Sequence, residues 1–288
     1  MKSLVFIILA FHFSTLSNQT QDYTATSLEG SWELISYIDH ANNGKDWQQY
    51  EEYVIYQKHI TPTHFTWYKY DAQSNMLLGM GGGTYSFKDN KYIEKIDFFY
   101  PPGSSELGQS IPFEVEMKDG KWMHTGHAKQ MGIGEDGIKV IGSTKIEEVW
   151  SPIAPQERNK HALIGSWNLS SYRETNEGPY LSYPEFTGYM KLITPTHFVW
   201  MKYDRDGDQI FGAGGGTYSY NGNSYVENIQ MAYPGDNNIQ DLSITFKPSL
   251  TSHKWKHLGQ IPNESNGLID EIWVPYTIEM EDETALNY

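Results

Sequence analysis

Two histidines, two glutamates and two tyrosines recur at matched positions in the two halves of this sequence. The first set is His64, Tyr70, Tyr92, Glu94, His124 and Glu148; the second is His197, Tyr203, Tyr225, Glu227, His257 and Glu271. Carboxylates and imidazoles gathered at one cavity can anchor the polar end of a ligand, bond each other as a packing network, or trade protons as general acid and base. In the acid–base reading the catalytic candidates are Glu94 with His124 and Glu227 with His257. A nucleophile is missing, because there is no Gly-x-Ser-x-Gly turn and no cysteine. Catalysis would then be cofactor-independent, of the isomerase, lyase or hydrolase kind. His and Glu also suit zinc or iron. Neither His-x-His nor His-Glu-x-x-His spacing occurs, so no metal and no other cofactor is expected.

What must position these groups is a duplicated unit. Gly30-Ser31-Trp32 recurs as Gly165-Ser166-Trp167, and the run from Ile60 to Phe65 (Ile-Thr-Pro-Thr-His-Phe) recurs from Ile193 to Phe198. Trp67, Lys69, Tyr70 and Asp71 return as Trp200, Lys202, Tyr203 and Asp204, and Gly81 to Ser86 returns as Gly214 to Ser219. The offset is 133 residues from His64 through His124 but 123 at the closing Glu148-Val149-Trp150, which returns as Glu271-Ile272-Trp273. The first copy therefore carries extra residues in the glycine-rich stretch 131–142, which reads as a loop insertion. The organisation expected is a leader over 1–20, copy one over 25–153, copy two over 160–277 and an acidic tail over 278–288.

Each copy reads as strands. Runs of Tyr, Trp, Phe, Thr, Ile and Val are separated by turn pairs such as Asp119-Gly120 and Asn221-Gly222, and no long helical period intervenes. Side chains alternate between the faces of a strand, so the parity held between copies marks the constrained face. Tyr92, Glu94 and Ile96 match Tyr225, Glu227 and Ile229 while their neighbours drift, which turns both glutamates inward. The same reasoning turns Trp122 with His124, and Glu148 with Trp150, to the interior. In the Thr-His-Phe strand both parities are held. His64 is read as inward from its company with Tyr70, with Phe65 and Trp67 as the opposite choice.

Gly-x-Trp at the head of a domain of this length resembles the lipocalin (calycin) signature. The longer string, Ile-Thr-Pro-Thr-His-Phe, then Tyr-Asp, then Gly-Gly-Gly-Thr-Tyr, is similar to lipocalin-like domains of uncharacterised secreted bacterial proteins of the Bacteroidetes type. The resemblance implies an all-β chain of two tandem antiparallel lipocalin-like β-barrels, each around a small-molecule pocket. It brings no established activity. One feature departs from true lipocalins: neither copy has an arginine near its last strand to stack on the Gly-x-Trp tryptophan.

Composition narrows the partners. With 21 basic and 36 acidic residues the chain carries −15, which repels phosphate backbones and anionic membrane surfaces, so nucleic acid is not an expected partner. Lys2 followed by the apolar Leu4–Phe13 reads as a secretory signal, too short to span a bilayer, and no later apolar run is long enough. The absence of cysteine removes a lipobox and disulfides, so secreted or periplasmic localisation is expected. Asp204, Asp206 and Asp208 imitate the start of a calcium loop, but Gln209 and Gly215 replace its required glycine and glutamate, leaving a hairpin turn. The Tyr-Pro segments at 100–103 and 233–235 read as rim loops. The function expected is binding of a small, partly apolar ligand. An enzyme, or a tandem-barrel protein-interaction module, is the alternative.

Overall fold

Aromatic and β-branched runs punctuated by turn residues become strands almost everywhere. The computed structural model describes residues 28–276 except 90, 135–136, 154–160, 236–238 and 265–266. The expected leader, acidic tail and most of the linker lie outside these residues. Copy one runs β1 (Gly30–Ile38), β2 (Trp47–Gln48), β3 (Val54–Ile60), β4 (His64–Asp71), β5 (Met76–Lys88), β6 (Lys91–Tyr100), β7 (Ser110–Lys118), β8 (Lys121–Gly134) and β9 (Gly137–Pro152). β1 pairs antiparallel with β3, each strand from β3 onward pairs antiparallel with the next, and β1 pairs with β9 to close the sheet. The two-residue β2 only borders β1, so eight strands form the barrel.

Copy two repeats this as β10 (Gly165–Arg173), β11 (Leu181–Ser182), β12 (Thr187–Ile193), β13 (His197–Asp204), β14 (Ile210–Tyr220), β15 (Tyr225–Tyr233), β16 (Ser243–Leu250), β17 (Trp255–Gln260) and β18 (Leu268–Pro275), closed by β10 on β18. The chain is two closed antiparallel barrels in tandem, an architecture that fits the lipocalin-like barrel expected from its motifs. No helix among the described residues is long and apolar enough to cross a membrane.

Local sequence explains the joints. Asp119 and Gly120 both take positive φ (51° and 73°), as a two-residue hairpin turn between β7 and β8 requires. The triple glycines mark a β-bulge, with the register slipping between Gly82 and Gly83 and again between Gly215 and Gly216. A Cβ on Gly83 would lie 2.1 Å from the Lys95 carbonyl oxygen, so the bulge needs glycine there. The extra residues of copy one do not form the loop expected. They lengthen β8 and β9 into a projecting hairpin, with Gln130 opposite Gly142 and Gly134 opposite Gly137. Strand-forming residues within the insertion, such as Val140 and Ile141, carry the ladder outward.

Three apolar cores result. Each barrel holds its own: Trp32, Phe65, Tyr92, Trp122 and Trp150 in the first, and Trp167, Phe198, Tyr225, Trp255 and Trp273 in the second. The third lies between the barrels, where Tyr68, Tyr70, Leu77, Met80 and Phe98 meet Met190, Val199, Met201, Ile210 and Met231. The contact is close to two-fold symmetric. Ser31 Oγ meets Thr194 Oγ1 at 2.7 Å, Thr61 Oγ1 meets Ser166 Oγ at 2.6 Å, and the equivalent Tyr100 and Tyr233 face each other with ring centroids 5.2 Å apart.

Candidate functional site

The interior of barrel one is organised around an ion pair. Lys58 on β3 and Glu94 on β6 both point inward, with Nζ 2.6 Å from Oε1 and each side chain under 5% exposed. A buried ammonium is tolerated only when its charge is matched. Here the carboxylate matches it, and aromatic faces surround it: Trp150 and Trp122 lie 5.0 and 5.2 Å away, with Phe113, Phe65 and Tyr92 near 5.9 Å. Barrel two repeats the arrangement with Lys191 and Glu227 at 2.7 Å. Residue type alone does not mark either lysine as a site residue, because lysine in a strand usually faces water. Their signal was present in the repeat, since Lys58 and Lys191 stand at the shared offset of 133.

Next to the ion pair, His124 on β8 bonds Glu148 on β9, Nε2 to Oε2 at 2.7 Å, and the Trp150 indole N–H donates to the same oxygen at 3.1 Å. Burial, reinforced by the Lys58 charge, lowers the His124 pKa, so the imidazole is neutral. Burial pushes Glu148 up, but the bonds from His124 and Trp150 and the Lys58 charge outweigh it, and the carboxyl is held below its ordinary range. Behind this network the Tyr92 hydroxyl, the Trp122 indole N–H and His124 Nδ1 are buried with no hydrogen-bond partner. The parity reading of Tyr92, Glu94, His124, Glu148 and their equivalents Tyr225, Glu227, His257 and Glu271 as inward-facing therefore holds.

Above this floor barrel one opens into a cavity of about 460 Å³. Its aromatic wall is a chain of neighbouring rings: Tyr37 on Tyr50 (4.4 Å), Tyr50 on Tyr56 (5.9 Å), Tyr56 on Trp67 (5.6 Å) and Trp67 on Phe99 (5.4 Å). Lys69 lies 3.9 Å over the Tyr50 ring. Glu106 reaches the same cavity from the loop between β6 and β7. Its pKa is pushed up to about 7, first by burial and then by Glu94 and Glu148, with Lys58 opposing. That loop was read only as a rim. An ionised Glu148 facing a Glu106 that titrates near neutrality can hold a cation or exchange a proton.

His64, Tyr70, His197 and Tyr203 are not in the barrels, contrary to the inward reading of His64. They sit in the seam between them. Tyr70 donates to Gln240 Oε1 at 2.6 Å, Tyr203 stacks on Phe98 at 4.8 Å, His64 packs edge-on against Tyr276 at 4.1 Å, and His197 lies 5.5 Å from His59. Both strand parities are held because both faces are buried, one in a barrel core and one in the seam. Phe65 and Trp67 take the interior instead. The Asp204–Gln209 turn also docks on barrel one, where the Gly207 carbonyl accepts from Phe99 N–H at 2.9 Å and Asp208 accepts from Gly103 N–H at 2.7 Å.

Barrel two keeps the floor and changes the mouth. His257 approaches Glu271 more loosely, Nδ1 to Oε2 at 3.3 Å, and burial pushes the Glu271 pKa up to about 7. Glu106 is replaced by Ile239, which packs against the barrel-two core. Where Glu147 lines the first cavity, the equivalent Asp270 is gripped by Arg173 and accepts from the Tyr180 hydroxyl at 2.7 Å. Barrel one has Ile38 and the exposed Trp47 in those two places and cannot form that latch.

No family model and no curated protein matches the chain. Among solved structures, the uncharacterised protein YLR301w from Saccharomyces cerevisiae is similar over 86% of this chain and 97% of that one, at 10% identity and a TM-score of 0.42. Transferrin binding protein B from Haemophilus parasuis is similar over 83% of this chain and 64% of that one, at 8% identity and a TM-score of 0.23. Likenesses this loose transfer no function, which has to be read from the chain's own side chains.

Proposed function

We propose that this protein binds a small, partly apolar molecule in its first barrel, and that residues 1–20 direct it out of the cytoplasm. One observation carries the reading: a cavity of about 460 Å³ joins a continuous aromatic wall to a charged floor. That volume and mixture suit a small ligand with an apolar body and one polar end. The Lys58–Glu94 and His124–Glu148 pairs serve as a rigid floor, because barrel two keeps equivalents of both. Recognition falls to the residues of the mouth, Tyr37, Tyr50, Tyr56, Trp67 and Glu106. Native mass spectrometry of protein purified gently from its own host is expected to show one adduct per chain, lost when Tyr56→Ala and Trp67→Ala are combined. A bare mass, together with no change in the native spectrum after incubation with a host small-molecule extract, would defeat the reading.

A further inference from the structure

The charges around the first cavity do not cancel. Five carboxylates line it (Asp39, Glu94, Glu106, Glu147 and Glu148) against three lysines and the imidazole of His40, which bonds Glu147 at 2.5 Å. Two of those lysines are committed, Lys58 to Glu94 at 2.6 Å and Lys145 to Glu147 at 2.8 Å. The third, Lys69, rests on the Tyr50 ring, where burial lowers its pKa and Asp39 only partly opposes that. Glu148 is hydrogen-bonded only by a neutral imidazole and an indole N–H, and it shares the field of the single Lys58 charge with Glu94. Glu106 repels both Glu94 and Glu148, and the three carboxylates all bear on the Tyr56 hydroxyl, which burial and their charge push well above its ordinary value. The uncompensated charge in the cavity is negative, and the surfaces beside it are π-faces, which attract cations.

We propose that the ligand of the first barrel carries a positively charged nitrogen on an apolar body, seated between Glu106 and Glu148 against the Tyr50–Tyr56–Trp67 wall. This rests on the reading of the cavity as a ligand site and adds the ligand's charge to it. Barrel two carries Ile239 in place of Glu106, so the cation preference belongs to barrel one alone. Glu106 is then the residue that sets specificity.

The test uses the whole protein at pH 8 and three probes of similar size: 2-phenylethylamine, the neutral 2-phenylethanol and the anionic 3-phenylpropionate. Isothermal titration calorimetry is expected to give the amine a Kd at least tenfold below that of the alcohol, with the carboxylate weakest. Glu106→Ile is expected to fold, since barrel two is built with isoleucine there, and to bring the amine and the alcohol within threefold of each other. Equal binding of amine and alcohol to the natural sequence would overturn the cation proposal and leave the cavity reading standing. So would tighter binding of the carboxylate, or an amine preference that survives Glu106→Ile. Failure of all three probes to bind would remove both.

Discussion

Lys58 and Glu94 show how one residue pair can fix an interior. Each side chain is under 5% exposed, so neither charge has water to fall back on. Removing one partner strands the other. Glu94→Gln is expected to cost about 3–5 kcal/mol in urea unfolding, whereas replacing the pair together, Lys58→Met with Glu94→Leu, should recover most of that loss. A double variant as unstable as the single would show that the pair does more than neutralise itself. The contrast between legible and illegible residues is sharpest here. Glu94 could be turned inward from sequence because its strand neighbours drift between copies while Tyr92 and Ile96 do not. Lys58 is duplicated too, but its residue type points to water and hides the signal of the repetition. Glu106 left no signal of either kind: it sits in a loop, and its counterpart is Ile239.

At the scale of the strand, the repeat made the architecture legible and the glycines show why it closes. Collinear motifs fixed two all-β units, and the turn pairs placed the hairpins. Parity failed only where a strand is buried on both faces, as at His64–Tyr70, because a sequence shows that a face is constrained without showing what it meets. The projecting β8–β9 hairpin reads as a loop in the sequence for a similar reason, since its glycines mask a continuing ladder. Neighbouring glycines of one bulge make a controlled test. A Cβ on Gly216 would sit 2.1 Å from the Asn228 carbonyl oxygen, at φ +159°, while one on Gly215 would meet the Phe198 carbonyl oxygen at 3.2 Å, a Val199 methyl at 3.3 Å and the Met231 methyl at 3.6 Å, contacts that need a shift of only a few tenths of an ångström. Gly216→Ala is expected to destabilise by at least ~2 kcal/mol and Gly215→Ala by less than ~1 kcal/mol in thermal unfolding. Equal effects would mean that the bulge is not what holds β14 on β15.

Over the whole molecule, the seam between the barrels ties stability to pH. Burial lowers the pKa of His64 and His197 to about 4, and burial with the His197 charge lowers His59 further. These rings are neutral in the folded protein, while in the unfolded chain they take up protons near 6.5. Their contribution is therefore complete above pH 6.5 and is lost as pH falls toward 4. His64 and His197 are under 6% exposed, so each is worth of order 2–3 kcal/mol across that window. The groove beside His64 also holds Lys95, Asp97 and Arg205, so its surroundings carry charge of both signs. Glu106 and Glu271, raised to about 7, act the other way, losing stabilisation as pH rises through 7. Among the described residues six histidines are lowered against these two raised carboxyls, which makes acid the destabilising direction. Melting temperature is expected to fall steadily from pH 7 to pH 4.5. In the His64→Gln, His197→Gln variant the slope should be much flatter. Small-angle scattering at pH 5 should show the natural protein lengthening before circular dichroism records any loss of strand, because the seam gathers three of these histidines, His59, His64 and His197, while each barrel core holds one, His124 or His257. A melting temperature flat across this range, or strand loss that coincides with the lengthening, would refute a seam that yields first.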